Sequence, residues 1–357
     1  MNPPNSRYRV AVTGAGVVTP IGRGAPSVRR ALASGRRAGA PATLFDASAF
    51  SSSLAAEVDP FDPRPSFRAP KALKLCDRRT RLAVAAAADA VDDARLRGTV
   101  APEELGVVVG TSGSDLGAEE LSLALSGMAA EEVAEIPLFA RRILSGLSPL
   151  WLLLHLPNMT GAHVAIQLEA RGPNDLLMTG WAAGLQAIGE GADLVARGEA
   201  LAVLAGGADS PLHAVSYSGL EQAGWLGRPG FVPGEGAVFV VLEERERALA
   251  RGARLLGEIV GHSSGVTADG DGEGTERIAR RGGLRGPLPA VAGEGPSAAA
   301  GYLFAAHGPL DLVLSLCAEG ASGSEVAALS RGMWGETAVV VATAGDGAAL
   351  AAGERSE

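Results

Sequence analysis

Thr179-Gly-Trp181-Ala-Ala-Gly184 is the stretch on which the fold reading turns, with Arg171-Gly-Pro-Asn174 leading in and Leu185-Gln-Ala-Ile-Gly-Glu190 leading out. Residues 174–178 read as a strand, and residues 181–197 as a helix that stops at Gly198. Gly184, Gly189 and Gly191 lie inside that helix, and each costs about 1 kcal/mol relative to alanine. A helix that tolerates three of them must pack its backbone closely against its neighbours. The same alternation continues outward. Strands are predicted at 9–12, 106–109, 201–204, 238–242 and 256–260. Helices are predicted at 78–97, with Asp77 as N-cap and Gly98 as terminator, at 117–128 and at 243–251. Strands interleaved with helices imply a buried parallel sheet in an α/β fold. Residues 263–296, rich in Gly, Arg and Asp, are expected to be loop.

Composition bounds the function. The 357 residues are 47% hydrophobic but only 4% aromatic, so the core is built from Ala, Val and Leu. Two cysteines give no disulfide framework. A net charge of -9 argues against nucleic acid as a partner. The opening Met1-Asn-Pro-Pro4 has no charged-then-apolar signal pattern, and the longest apolar runs, such as 149–156, are too short to cross a bilayer. The expectation is a cytoplasmic protein with no membrane partner. The five histidines, His155, His163, His213, His262 and His307, have no Cys, Asp or Glu partner at metal-ligand spacing. Neither a metal nor another cofactor is expected.

Further motifs follow in order: Val10-Ala-Val-Thr-Gly-Ala-Gly-Val-Val-Thr-Pro-Ile-Gly22, Phe45-Asp-Ala-Ser-Ala-Phe50, Asp77-Arg-Arg-Thr-Arg-Leu-Ala83, Asn158-Met-Thr-Gly-Ala-His163, Ala205-Gly-Gly-Ala-Asp-Ser-Pro211 and Gly230-Phe-Val-Pro-Gly-Glu-Gly-Ala237. Together with 171–190 they resemble the β-ketoacyl synthases of the thiolase superfamily, densely from about Arg9 to about Gly261. A single glycine loop is a weak signal; this many ordered motifs is a strong one. The resemblance implies a thiolase-like α/β fold, two related halves in a layered αβαβα core. The halves are expected at residues 1–245 and 246–357, the second of them shortened.

In that family the hexapeptide at 179–184 reads Thr-Ala-Cys-Ala-Ser-Gly, and its cysteine attacks an acyl thioester. A helix N-terminus favours the thiolate, and the same N–H groups hold the oxyanion of the tetrahedral intermediate. Trp181 stands at the cysteine position, and an indole offers one donor and a large apolar body instead. It is expected to fill or shape a pocket, or simply to pack in the core; either way the position carries no chemistry. Active members also carry two histidines, one in His-Gly-Thr-Gly-Thr and one in a later Gly-His motif, and neither motif is present. The remnant of the first is read in Asp311–Gly320, a strand and loop that would put Leu316 at the histidine position. Gly293–Gly301 is weighed for the second and set aside because it breaks the chain order; that histidine is assigned to a lost segment. Trp225-Leu-Gly-Arg-Pro-Gly230 joins directly to Phe231, where active synthases carry a longer loop. Cys76, Cys317, Thr179 and Ser210 are the remaining nucleophile candidates. The cysteines are read as small buried hydrophobes, and the hydroxyls have no evident base nearby in sequence.

Loss of nucleophile, histidines and loop on a retained scaffold resembles the chain length factor of bacterial type II polyketide synthases. Typical factors carry Gln at the cysteine position. The resemblance implies a non-catalytic subunit that pairs with an active ketosynthase, meets the acyl carrier protein through the complex, and shapes the acyl-chain tunnel. The tunnel is expected along Gly117, Leu121, Ala124, Met128 and Trp181. The partner interface is expected at Asn158, Met159, Thr160, His163, Val164 and Gln167, with 160–167 on a sheet edge. The rival readings are a homodimeric thiolase-fold acyltransferase or decarboxylase with an unrecognised nucleophile, and a non-catalytic scaffold.

Overall fold

The computed structural model describes residues 8–113, 122, 126, 128, 135–268 and 272–345. Its strands are β1 (Val10–Thr19), β2 (Gly22–Arg23), β3 (Ala40–Pro41), β4 (Leu54–Ala55), β5 (Leu105–Gly110), β6 (Asn174–Leu177), β7 (Ala202–Asp209), β8 (Gly236–Glu244), β9 (Gly257–Val266), β10 (Glu325–Arg331) and β11 (Glu336–Ala344). Its helices are α1 (Ala25–Ala33), α2 (Arg78–Asp93), α3 (Ile136–Gly146), α4 (Trp151–His155), α5 (Met159–Leu168), α6 (Ala183–Arg197), α7 (Ala214–Gln222), α8 (Arg245–Ala250), α9 (Gly272–Arg281) and α10 (His307–Leu316). The main sheet runs β10-β11-β9-β1-β8-β7-β5-β6. Parallel pairing joins β5 to β6 and to β7, while β7–β8, β8–β1, β1–β9, β9–β11 and β11–β10 are antiparallel. The sheet is therefore mixed rather than parallel.

Strand spacing shows how the layers arise. β11 and β5 stand five steps apart in the strand order, which a flat sheet would spread over about 24 Å. Helix α6 nevertheless packs on β5, β7, β9 and β11. The sheet must wrap around it, and the weak point is visible: β1 holds β9 only through Val10–Val12. Helices α6 and α10 thus lie between two strand layers, α2 covers the far side of β1, β8 and β7, and α9 covers β9 and β11. The αβαβα order follows from these contacts. The apolar residues of α6, α10 and the inner strand faces form one core, and those of α2 with β5, β7 and β8 form a second.

Several local expectations hold. Asp77 caps α2 by accepting from Thr80 N at 2.8 Å, and Gly198 ends α6 with φ +77. Others are corrected. Residues 263–296 contain the end of β9 and helix α9. Residues 311–316 belong to helix α10 rather than a strand, because an apolar run of that length fits either form until its packing is known. Residues 160–167 form helix α5, and β6 is the sheet edge on that side.

Close backbone approach explains the glycines of α6 best at Gly184. A Cβ there would lie 1.9 Å from the carbonyl oxygen of Ala305. Gly184→Ala is expected to destabilise the fold by about 3 kcal/mol or more, as overpacking against rigid backbone does. A Cβ on Gly219, in α7, would meet nothing within 4 Å, and Gly219→Ala should instead gain up to about 1 kcal/mol from helix propensity. Urea denaturation midpoints of the two variants check both signs.

Candidate functional site

The site is built where β6 hands over to α6. Gly180 turns the chain with φ +73, and Gly180–Ala182 form one turn of 3-10 helix ahead of α6. Trp181, 4% exposed, projects from this turn into an aromatic cluster. Its ring lies 4.7 Å from Trp225, 4.7 Å from Tyr302, 5.6 Å from Phe304 and 6.3 Å from Phe231. Separations of this kind suit aromatic pairs, each adding about 0.5–1.5 kcal/mol beyond area burial. The cluster borders a cavity of about 1260 Å³, whose wall includes Phe45, Trp181, His213, Phe304, Trp334 and Glu336.

The loop carrying Tyr302 and Phe304 is held from behind. Asp209, buried at the end of β7, accepts from Ala305 N at 2.8 Å, from Thr111 Oγ1 at 2.7 Å and from Ser112 N at 3.1 Å. Burial pushes its carboxyl up, against the hydrogen bonds from Thr111 and Ala305 that pull it down. Phe304 takes φ +52, a conformation that costs a bulky residue about 1–3 kcal/mol. The anchored turn and the aromatic packing impose it. Burial raises the Tyr302 phenol well above its ordinary value, with Glu294 and Glu336 adding to the effect.

The candidate nucleophiles are all otherwise engaged. Burial, with Asp77 adding, pushes the Cys76 thiol up to about 12, and Cys76 Sγ donates to Ala72 O at 3.2 Å. Burial likewise raises Cys317. Thr179 is hydrogen-bonded to Gln186. Ser210 donates at 2.7 Å to Glu235, a fully buried carboxylate that also pairs with Arg78. Among the histidines, His213 accepts from Ser216 N at the start of α7, His262 bonds Asp193 at 3.1 Å, and His307 lies behind Tyr302 with ring centroids 5.5 Å apart.

Comparison with known proteins now fixes the family. The family described as Beta-ketoacyl synthase, N-terminal domain, matches residues 7–248. This chain belongs to the β-ketoacyl synthase family. It is 35% identical over 274 residues to a 3-oxoacyl-[acyl-carrier-protein] synthase 2 of Synechocystis, covering 72% of this chain and 62% of that protein. A protein of the same name from Staphylococcus aureus is 31% identical over 284 residues, covering 74% and 64%. The chain thus spans somewhat under two thirds of the length of these curated relatives. Among solved structures, the ishigamide ketosynthase/chain length factor aligns with TM-score 0.78 at 24% identity, covering 95% of this chain and 99% of that one. A β-ketoacyl synthase from Burkholderia phymatum aligns with TM-score 0.76 at 20% identity, covering 94% and 99%. A chain of the type II polyketide synthase complex AntDE:AntF, an acyl-carrier protein with its ketosynthase, aligns with TM-score 0.72 at 19% identity, covering 95% and 99%. The thiolase-like fold is shared throughout.

The expected site residues of this ketosynthase-like chain divide sharply. Trp181 lies on the cavity wall. Gly117, Leu121 and Ala124 lie outside the described residues; Met128 is half-buried and outside any helix. Leu316 is fully buried in the core at the end of α10, away from the cavity, because the apolar face of that helix packs inward. Of the expected interface residues, Thr160, His163, Val164 and Gln167 are buried, because helix α5 packs this side against α2. Thr160 Oγ1 accepts from Arg79 Nε, and Gln167 Oε1 accepts from Arg68 N. Burial lowers His163 below its ordinary value. Asn158 is exposed and Met159 half-buried. Sequence reading missed Tyr302, Phe304, Trp334 and Glu336. The available signal was Gly301-Tyr302, the glycine-led pair directly after the segment set aside.

Behind the cluster lies a titratable pair of opposite sign. Burial pushes the His307 imidazole down from 6.5 to about 3 and the Asp311 carboxyl up from 3.8 to about 7. Ser297 bonds both, with its hydroxyl 2.9 Å from His307 Nε2. Between about 3 and 6.5 the unfolded chain binds the His307 proton and the folded chain does not, so stability falls as pH falls. Between 3.8 and about 7 the folded chain binds the Asp311 proton and the unfolded chain does not, so stability falls as pH rises. From 3.8 to 6.5 the two contributions oppose each other. Asp311→Asn removes one of them. Its urea midpoint should drop more steeply than that of the wild type as pH falls from 6.5 toward 3.8; parallel profiles would contradict this account.

Proposed function

We propose that this chain is a non-catalytic ketosynthase-like subunit, a chain length factor, that pairs with an active β-ketoacyl synthase in type II polyketide biosynthesis and shapes its acyl-chain tunnel. The observation that carries the reading is Trp181 itself. At the family's nucleophile position it is buried among Trp225, Tyr302 and Phe304, and an indole brings no thiol to that position. Tyr302 follows Gly301 and packs on Trp181, so we place the family's second histidine position at Tyr302. A tyrosine whose phenol is held well above its ordinary value stays neutral and is a poor proton donor there. The cavity beside the cluster is ample for an acyl chain.

The surface supports a partner. Among the described residues β6 pairs only with β5, leaving its outer edge free. Ile136 (78%), Leu144 (79%), Leu152 (56%), Ile166 (61%) and Met178 (55%) are exposed in the stretch around it. Apolar exposure on this scale in a soluble protein marks an interaction site. We assign the ketosynthase interface to the β6 edge with Ile166 and Met178, rather than to the buried face of α5. The acyl carrier protein is met through that complex.

An enzymatic reading draws on the names of the sequence relatives, which are synthases. It requires a nucleophile, and Cys76, Cys317, Thr179 and Ser210 are committed as described.

Incubation with acyl-carrier thioesters should give no covalent adduct by intact mass; an acyl group mapped to Cys76, Cys317 or Thr179 would restore the enzymatic reading. Trp181→Cys alone should give no measurable condensation, since the histidine position stays Tyr302. Co-expression with a cognate ketosynthase should yield a one-to-one complex on sizing. Ile166→Glu with Met178→Glu should weaken it at least about tenfold, the loss expected when charges replace buried interface anchors, while the far-ultraviolet circular dichroism stays unchanged. A chain that remains monomeric beside every cognate synthase defeats the proposal.

A further inference from the structure

Two backbone N–H groups converge beside the cavity, and a carboxylate of the same chain already fills the space between them. Trp181 N donates to Glu336 Oε1 at 3.1 Å, and Trp334 N donates to Glu336 Oε2 at 3.1 Å. The donors come from the turn before α6 and from the hairpin between β10 and β11, segments far apart in sequence. The hairpin is fixed by Gly332 N, which donates to Glu336 O at 2.8 Å, so the carboxylate is delivered by rigid backbone. Space has been cleared for it on two sides. A Cβ on Gly332 would lie 1.5 Å, and one on Gly180 2.1 Å, from Glu336 Oε1. Glycine at both positions is therefore a steric requirement of seating this carboxylate.

Two N–H groups that each hold one oxygen of the same carboxylate form an anion-binding arrangement. We infer that Glu336 is the built-in occupant of an anion site, and that it makes the cavity select neutral apolar ligands over carboxylates and acyl oxyanions. A second anion brought to these donors would meet the Glu336 carboxylate at close range in a partly desolvated wall, where like charges repel strongly. Of the cations on the same wall, Arg78 is paired with buried Glu235 and Arg79 with Asp77, while Arg81 donates to Leu73 O. The apolar remainder of the wall, including Phe45, Leu212, Phe304 and Met333, is unaffected. The inference concerns this chain's own cavity, so its failure and the failure of the ketosynthase pairing are read separately.

The test is ligand binding to the full chain, followed by tryptophan fluorescence, since Trp181 and Trp334 border the site. The probes are dodecanol and dodecanoate, which differ in the charge of the head group. Wild type should bind dodecanol at least about tenfold more tightly than dodecanoate. Glu336→Gln keeps the side-chain shape and one acceptor oxygen but removes the charge; Glu336→Ala vacates the site. Both should raise dodecanoate affinity at least about tenfold and leave dodecanol within about threefold. Circular dichroism reports folding, and if the alanine variant does not fold the glutamine variant carries the test. A wild type that takes dodecanoate as tightly as dodecanol overturns the inference without any variant. So does equal dodecanoate affinity in wild type and Glu336→Gln, including binding to neither.

Discussion

Ala305 is the residue on which the site depends, and it acts through its backbone alone. Its carbonyl oxygen lies where a Cβ on Gly184 or on Gly207 would stand, at 1.9 Å and 2.2 Å. Its N–H is held by buried Asp209 at 2.8 Å. One peptide segment is thus clamped between the central helix and a central strand by the absence of two side chains and the presence of one carboxylate. A buried carboxylate is costly unless its acceptors are satisfied, and Thr111, Ser112 and Ala305 satisfy this one. That clamp fixes where Tyr302 and Phe304 can point, and they point at Trp181.

The consequence is a family scaffold in which position 181 serves as packing. Helix α6 keeps the burial, the glycines and the Gly198 cap that a nucleophile helix needs, yet the side chain just ahead of it is an indole enclosed by four aromatic rings. In a chain only 4% aromatic, that concentration is itself informative. The Ala- and Val-rich layers are held by close backbone approach. Eight aromatic residues gather in the cluster around Trp181 and Tyr217, beside the larger cavity.

Sequence reading reached the frame more surely than the contents. Asp77 and Gly198 are local signals whose meaning does not depend on distant residues, and the helix ends they mark were legible; Gly98 was not such a mark, because α2 ends at Asp93 and Arg95 already takes the left-handed turn. Trp181 was legible as a packing residue because an indole has a large apolar body and no acidic proton wherever it sits. Residues 311–316 were misread because a short apolar run carries no period that separates a strand from a buried helix. Leu316 was consequently placed at a site when it belongs to the core. Thr160, His163 and Gln167 were read as surface because their motif was taken to lie on a sheet edge; the register of α5 against α2 turns them inward, and nothing local states that register. Glu336 was invisible for a stronger reason. Its contacts exist only once Trp181 and Trp334, from segments far apart in the chain, present their N–H groups to the two oxygens of its carboxylate.

Trp181 and Glu336 also explain each other. A helix N-terminus leaves backbone N–H groups unsatisfied, and burying them beneath a large apolar side chain would carry the cost of unmade hydrogen bonds. In the β-ketoacyl synthases those donors are kept for an oxyanion that forms only during reaction. Where no oxyanion is bound, the donors need another acceptor or bear that cost permanently. The Glu336 carboxylate is such an acceptor, seated on the N–H of Trp181 and of Trp334. With the donors satisfied, the indole can pack as a hydrophobe. With the indole and its neighbours packed around it, the carboxylate is held in one place. The packed indole and the seated carboxylate are then two halves of one structural solution, and the glycines at 180 and 332 are what make room for it.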